Sequence, residues 1–576
     1  MHLDLVGSTT GKKTWMSKQT PEQLRIMITA APPTPNGDLH LGHLSGPYLA
    51  ADILTRYLRL RGTDARYMCG SDDNCNYVHT NAARLGLGAQ EGADRMVADI
   101  EATLRAARIE VEQFVRPNAS AIYRETVQEM FRRLHDSGRL EEREVPSPYC
   151  EGCARYLYEA YIKGHCPHCG ALCGGNYCEE CAWPNHCADL RDAYCTQCGK
   201  PAARRPCRRL FFPLSRYARE LRRMHRRVAM CERLRAFCEK ALATGLPDLA
   251  VSHVGDWGIP VPVAGFAEQR IWVWCEMAPR YLAYARHLGG GWERFWKADD
   301  AAVVQCFGSD NAFFYALFVP ALLHACDPEI RPPAAYVMNE FYRLDGRKFS
   351  TSRRHAIWGR DLLADVPSDV VRYYLAATCP EVESTNFELA SFAETADREL
   401  LGEWQPWLEE LARRLREEFA DQAPAAPAAG AWTAEHRRFR ERLRGLAAEA
   451  ALSYQAATFS PQRAARVLGE LVREARRFGR TEECWRGVPG RGGARRTAAA
   501  LELLAAKVLA LAAAPLMPDL AARLWHELGY TAPLAEQRWE SRPSWVPAGQ
   551  RLRGLAAAPY FPSVRQRLEN RKLYAA

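Results

Sequence analysis

Pro35-Asn36-Gly37-Asp38-Leu39-His40-Leu41-Gly42-His43 is the stretch that decides the fold. Before it, Leu24 to Ala31 reads as a buried strand, and Pro32, Pro33, Pro35 and Gly37 then force an irregular loop. After it, from His43 to Arg61, Leu49, Ile53, Leu54, Tyr57 and Leu58 recur at three- and four-residue steps, the period of an amphipathic helix. Gly62 ends that helix as a C-cap, and Ala65 to Cys69 forms a second short strand. The result is a β-loop-α-β unit with its loop aimed at the helix N-terminus. Such a nucleotide-binding half-fold presents ligands at the C-terminal edges of its strands.

The loop also carries chemistry. His40 and His43 can offer imidazole N–H groups, Gly42 lets backbone approach a nucleotide closely, and the helix N-terminus adds unpaired N–H groups. Attack of a carboxylate on the α-phosphate of ATP needs donors of this kind around the charge that builds there. Taken alone, His-x-x-His is more often a pair of surface caps. About half the chain later stands a second motif, Lys348-Phe349-Ser350-Thr351-Ser352, with Arg347, Arg353 and Arg354 beside it.

Four Cys-x-x-Cys pairs lie between the two motifs: Cys150/Cys153, Cys166/Cys169, Cys178/Cys181 and Cys195/Cys198. Each two-residue spacer lets both sulfurs face one ion, and two such knuckles complete a tetrahedral site of four thiolates. Eight ligands imply two zinc ions, structural because such sites keep no open position. Spacing alone leaves nested and interleaved pairings open. Cys173, Cys187, Cys207, His165, His168 and His186 are spare candidates. Twenty cysteines, concentrated at metal-ligand spacing in a large chain without a signal-like segment, point to metal thiolates in a reducing cytoplasm.

The whole chain has 576 residues, a length that suggests about three or four domains. Its net charge of +9 fits an anionic ligand but is common in proteins that bind none. No apolar run reaches membrane-spanning length, so no membrane association is expected. The composition and motifs divide the chain as follows: a flexible extension over 1–20, the first half of a Rossmann catalytic domain over 21–117, and a connective insertion with the knuckles over 118–233. The second catalytic half covers 234–386, a helical domain 387–546 and a tail 547–576. Within these spans, Arg216 to Ala243 reads as helix, Ile271 to Trp274 and Ala302 to Phe307 as strands, and Asn311 to Ala325 as a helix kinked by Pro320. Ala423 to Ala431 and Gly487 to Arg496 are low-complexity breaks. The fold class is α/β with a zinc-knuckle insertion, followed by an all-α bundle.

The two motifs, in this order and setting, resemble the signatures of class I aminoacyl-tRNA synthetases. The resemblance narrows to the methionyl-tRNA synthetases over roughly Leu24 to Tyr530. It implies His40, His43 and Lys348 as catalytic groups, and ATP, with Mg, held by Asn36, Gly37, Gly42, Asp310, Ser350 and Ser352. Met68-Cys69-Gly70-Ser71-Asp72-Asp73 matches the segment whose aspartate, here Asp72, takes the amino acid's ammonium. Trp272-Val273-Trp274 and Tyr281 match the aromatic floor of a methionine pocket, where sulfur against rings is a sound recognition mode. Thr34 and Tyr315 fall at further amino-acid-binding positions. Trp257-Gly258-Ile259-Pro260-Val261-Pro262 matches a segment near the tRNA acceptor end. The resemblance also implies a nested zinc pairing: the inner cysteines (Cys166, Cys169, Cys178, Cys181) on one ion and the outer four on the other. A large editing domain, carried by relatives for isoleucine, valine or leucine, has no room here.

The departures fall on specificity. Thr34 stands where the family has tyrosine, Tyr315 where it has histidine, Arg280 where it has glycine and Thr351 where a second lysine is frequent. An arginine at 280 can hold a second carboxylate or a phosphate, or point to solvent. In the helical region Pro406 and Glu410 replace an asparagine and an arginine that read the anticodon, and Trp485 is the candidate stacking residue. No added tRNA-binding barrel follows Pro562. Three readings result: a methionine–tRNA ligase, a paralogue that transfers the activated acid to a non-tRNA acceptor, and a non-catalytic RNA- or protein-binding relative.

Overall fold

Strand β1 (Arg25–Ala30) is buried along all but its first residue, which explains its unbroken apolar run: a parallel strand covered on both faces has no polar side to show. It sits at the centre of a parallel five-stranded sheet with β2 (Asp64–Gly70), β3 (Gln113–Val115), β4 (Ala301–Gly308) and β5 (Ala335–Asn339), in the order β5-β4-β1-β2-β3. The register pairs Met27 with Val303 and Val304 with Ala335. The computed structural model describes residues 21–349, 355–425, 431–540 and 543–569. The expected N-terminal extension, the Ser350–Ser352 part of the second motif, residues 426–430 of the Ala-rich break and the last residues of the tail lie outside the described residues. Among the described residues no helix is long and apolar enough to cross a membrane.

The chain divides into two compact units. The first comprises Met1–Leu39, Arg66–Thr103 and Glu110–Glu340. It holds the sheet, the helices Ala121–Asp136 and Val273–His287 packed on each other, and the cysteine-rich insertion. The insertion is carried on a stem of two long antiparallel strands, Glu141–Cys150 and Ala203–Phe212, with Tyr149 opposite Ala203.

The second unit comprises His40–Ala65, Leu104–Ile109 and Phe341–Ala576. Its helices include Leu49–Leu60, Ser368–Ala377, Gln405–Phe419, Ala434–Ser453, Pro461–Glu483 and Gly492–Ala513. Tyr342–Leu344 and Arg347–Lys348 form a hairpin through Asp345-Gly346, both at positive φ (48° and 77°), as a tight two-residue turn requires.

Several expected elements differ. Ile271 to Trp274 is not one strand: the strand ends at Ile271, Trp272 is an extended N-cap, and Val273–His287 is helix. Nearly every residue from Val273 to Ala285 is buried, so neither a two-residue nor a 3.6-residue alternation was available to separate the two forms. The helix expected over Arg216 to Ala243 is interrupted between His225 and Glu232. Regular helix begins at Leu49 rather than His43, because Gly46 takes non-helical angles ahead of Pro47. The helix expected over Asn311 to Ala325 is one helical run over 312–326, and its irregularity is a π-bulge at Phe314–Phe318 directly ahead of Pro320, where the wider turn accommodates the missing N–H.

Candidate active site and metal centres

In the second unit, His40 caps the helical turn Leu41–His43, and the two histidines cap each other. His43 N–H donates to His40 Nδ1 and His40 N–H donates to His43 Nδ1, each at 3.3 Å. A ring nitrogen that accepts a backbone N–H carries no proton when the ring is neutral, so both protons sit on Nε2. Burial holds His43 neutral by lowering its pKa to about 4. His40 is lowered well below its ordinary value by burial and by His43. The rings stack with centroids 3.7 Å apart. Two parallel Nε2–H donors result, neutral at physiological pH. Phe349 of the second motif stacks on His40 at 4.6 Å. Gly42 permits this contact, since a Cβ there would meet Phe349 at 2.9 Å and the His40 ring at 3.1 Å. Lys348, next in sequence to Phe349, places its Nζ 4.2 Å from the centroid of the Phe341 ring. The structure thus brings Phe349 against His40 and Gly42, beside His43, while the Lys348 ammonium lies over the Phe341 ring. The role of Phe349 as the surface beneath His40 escaped the sequence reading; its position inside the second motif was the available signal.

In the first unit, three expected residues follow the C-terminal ends of adjacent parallel strands, the edge where such sheets bind ligands. Thr34 follows β1, Asp72 follows β2, and Asp310 lies in the turn after β4. Asn36 and Gly37 continue the loop from Thr34, with Asn36 N–H donating to Thr34 O. Asp72 N–H donates to Pro33 O at 2.9 Å, which ties the Thr34 loop to the Asp72 turn.

Arg280 is neither solvent-facing nor open to a ligand. It is fully buried, and its Nη2 donates to Asp72 Oδ1 at 2.8 Å while Nη1 donates to Ser71 O at 2.9 Å. Glu276, one helical turn earlier, is also fully buried. Its carboxyl accepts from Asn74 Nδ2 at 3.0 Å on both oxygens and from Tyr123 Oη at 2.6 Å. Burial pushes Glu276 up to about 7. Burial also raises Asp72, against the opposing pull of the Arg280 guanidinium. Glu276, Asn74 and Tyr123 were not anticipated, although a lone acid within the apolar run Val273-Trp274-Cys275-Glu276-Met277 was a readable signal.

The expected aromatic residues pack on neighbouring rings. Trp274 stacks on Phe314 at 3.7 Å, Tyr177 of the insertion meets both rings edge-on, and Trp183 meets Phe313. Tyr281 Oη donates to Tyr315 Oη in a short bond, both side chains fully buried. Trp257 donates its indole N–H to Asp73 O at 2.8 Å, which ties its loop to the Asp72 turn.

The eight cysteines fall into two groups: Cys150, Cys153, Cys195 and Cys198, and Cys166, Cys169, Cys178 and Cys181. This is the nested arrangement. The antiparallel stem explains the outer group, since it sets Cys150 at one strand end beside the segment that precedes the other. Sulfurs approach to 3.4 Å in the outer group (Cys150–Cys198) and 3.7 Å in the inner (Cys169–Cys178), and all ligand atoms of each group lie within 4.8 Å of one another. Four thiolates at about 2.3 Å from a tetrahedral ion stand roughly 3.8 Å apart. Backbone N–H groups of Cys153 and His168 donate to Cys150 and Cys166 sulfurs at 3.4 Å, as thiolates in tight knuckles require. The residues fit a metal ion in each group. Cys173 and Cys187 are buried and belong to neither.

In the helical region, Pro406 lies in the first turn of Gln405–Phe419, and Glu410 pairs with Arg480 at 2.9 Å and Arg476 at 3.4 Å. Trp485 is 41% exposed, with the Arg491 guanidinium 4.2 Å from its ring centroid.

The chain is similar to known proteins. The profile of the family described as tRNA synthetases class I (M) matches residues 26–411. Methionine–tRNA ligase of Porphyromonas gingivalis is 31% identical over 520 residues, 89% of this chain and 75% of that protein. The Aeropyrum pernix methionine–tRNA ligase is 29% identical over 542 residues, 92% of this chain and 93% of that one. The crystal structure of Mycobacterium tuberculosis methionyl-tRNA synthetase bound by methionyl-adenylate superposes with a TM-score of 0.77, covering 93% of this chain and 100% of that one at 20% identity, a likeness of fold. On the extent of the family match and of these relatives, the chain belongs to the class I tRNA synthetases of the methionine type.

Proposed function

We propose that the protein activates an amino acid, methionine first among candidates, with ATP, and transfers the acyl group to tRNA. A carboxylate oxygen attacks the α-phosphorus, a new P–O bond forms, the bond to the β-phosphate bridge breaks, and pyrophosphate leaves with its electron pair. Developing negative charge on the phosphate oxygens is met by the Nε2–H groups of His40 and His43 and by the Lys348 ammonium. Asn36, Gly37, Gly42, Asp310, Ser350 and Ser352 contribute to holding ATP, which brings Mg with its phosphates. Thr34, Asp72, Trp274, Tyr281 and Tyr315 surround the amino acid. Zinc in each cysteine group cross-links the insertion and takes no part in the reaction; free thiolate ligands suit a reducing, cytoplasmic setting.

One observation carries this reading. Reciprocal capping fixes the tautomer of both imidazoles and burial keeps them neutral, so two parallel N–H donors stand beside Phe349 of the second motif before any anion arrives. Methionine-dependent pyrophosphate exchange tests it. His43→Ala and Lys348→Ala should each slow exchange by about 10²-fold or more, with the far-UV spectrum unchanged. Unchanged rates in both variants refute the assignment.

A second reading, transfer to a non-tRNA acceptor, draws support from Glu410. Its carboxylate sits among Arg476 and Arg480, where it neutralises cations that would otherwise attract an RNA backbone. Exchange with methionine but no charging of initiator or elongator tRNA decides for this alternative.

A further inference from the structure

Asp72 is the one carboxylate of its cluster with any opening to solvent, its side chain 15% exposed; Glu276 and Arg280 are closed. An ammonium reaching Asp72 therefore meets a carboxylate whose Oδ1 is already engaged at 2.8 Å by a guanidinium. That guanidinium is held in place. Nη1 is fixed on Ser71 O, and the guanidinium carbon lies 5.6 Å from the Tyr123 ring centroid. The Ser71 carbonyl follows Gly70, where a Cβ would lie 2.1 Å from Val115 O, so that backbone has no room to shift. Glu276 offers no direct substitute for an incoming ammonium, because it is closed to solvent and its oxygens accept from Asn74 and Tyr123, with Oε1 also 3.5 Å from Arg280 Nη2. A second cation beside Asp72 would feel attraction from the carboxylate and repulsion from Arg280 together. The two contributions largely cancel at such short range. A neutral hydroxyl suffers no such repulsion, needs less dehydration, and can still donate to Oδ2.

We propose that Arg280 is a built-in counter-ion for Asp72, a positioning residue through which the site accepts carboxylic acids bearing an α-hydroxyl nearly as well as those bearing an α-ammonium. Selection then rests on the side chain and the carboxylate. This inference rests on the activation chemistry proposed above and names the class of acid that chemistry takes.

The test is pyrophosphate exchange by the full-length wild-type protein with methionine and with 2-hydroxy-4-(methylthio)butanoate, which differs only in replacing the ammonium by hydroxyl. A site built around an unpaired polar partner rejects the analogue lacking the matching group by roughly 10⁴-fold. Here the ratio of kcat/KM values is expected to lie below about 10²-fold. A larger preference for methionine overturns the proposal. Arg280→Ala, which frees Asp72, should shift the ratio at least about tenfold towards methionine, mainly through a lower KM for methionine, while Arg280→Lys keeps the wild-type ratio. A ratio unmoved by Arg280→Ala overturns the proposal too. Thermal midpoints of both variants report folding, and the wild-type ratio decides the question even where a variant does not fold. Exchange with methionine alone leaves the activation reading standing and removes this inference; exchange with neither acid removes both.

Discussion

Arg372 in the second unit and Arg280 in the first are both shut away from solvent, at 1% and 0% exposure, yet they are built differently. Arg372 uses all five of its N–H groups. They reach the carbonyls of Leu516, Pro515, Ala107 and Arg108 and the Asp52 carboxylate, at 2.7–3.1 Å. Its partner Asp52 is itself 1% exposed and also accepts from Arg56. Arg280 has one carbonyl and two carboxylates, and among the described residues its Nε has no hydrogen-bond partner. Its principal partner, Asp72, opens to solvent at the ligand edge of the sheet. A fully satisfied arginine among carbonyls is a staple that stitches chain segments; one that leaves a carboxylate half available is part of a site.

The widest gap between the two should appear on truncation. Arg372→Ala leaves Asp52 buried without its main cation and should cost about 3–5 kcal/mol in urea unfolding. A loss below about 1 kcal/mol would erase the distinction. The next effect is pH-dependent and is read at Glu276, beside Arg280. Burial raises folded Glu276 from 4.5 to about 7, so the native state holds the proton more tightly than the unfolded chain. The stabilisation is full below about pH 4.5 and disappears as pH rises through about 7, an effect of about 3 kcal/mol. Urea midpoints across pH 5–8 should fall less steeply in Glu276→Gln than in the wild type, and equal slopes refute this. Arg280→Ala should cost about 1–2 kcal/mol, less than Arg372→Ala, since water reaches Asp72. The smallest effect belongs to the surface pair Arg108–Asp519, more than half exposed on both sides, where Asp519→Asn should change stability by about 0.5 kcal/mol or less. A larger value there would mean that burial is not what separates the two arginines.

Much of this was readable before any coordinates. The strand, loop and helix around Pro35–His43 were legible because Pro and Gly punctuate the loop and apolar residues recur along the helix. Spacing alone could not tell nested from interleaved knuckles, so the nested grouping came only from the family resemblance; the Tyr149–Ala203 register supplies its physical reason. Continuous burial from Val273 to Ala285 hid a helix behind a strand-like run. Arg280 could be flagged as a departure, but its direction depended on which acid the helix turned it towards. The mutual capping of His40 and His43, and with it the placement of both protons, is a property of two backbone N–H groups and is invisible in residue types.

Tyr177 adjoins Cys178, a ligand of the inner cysteine group, and its ring leans on Trp274 and Phe314. A ring packed on Trp274 and Phe314 is therefore hung from a cysteine knuckle. Under the proposed function, stripping metal from that knuckle or oxidising its sulfurs would tilt Tyr177 against Trp274 and Phe314, coupling the choice of acid to the thiol state of the insertion.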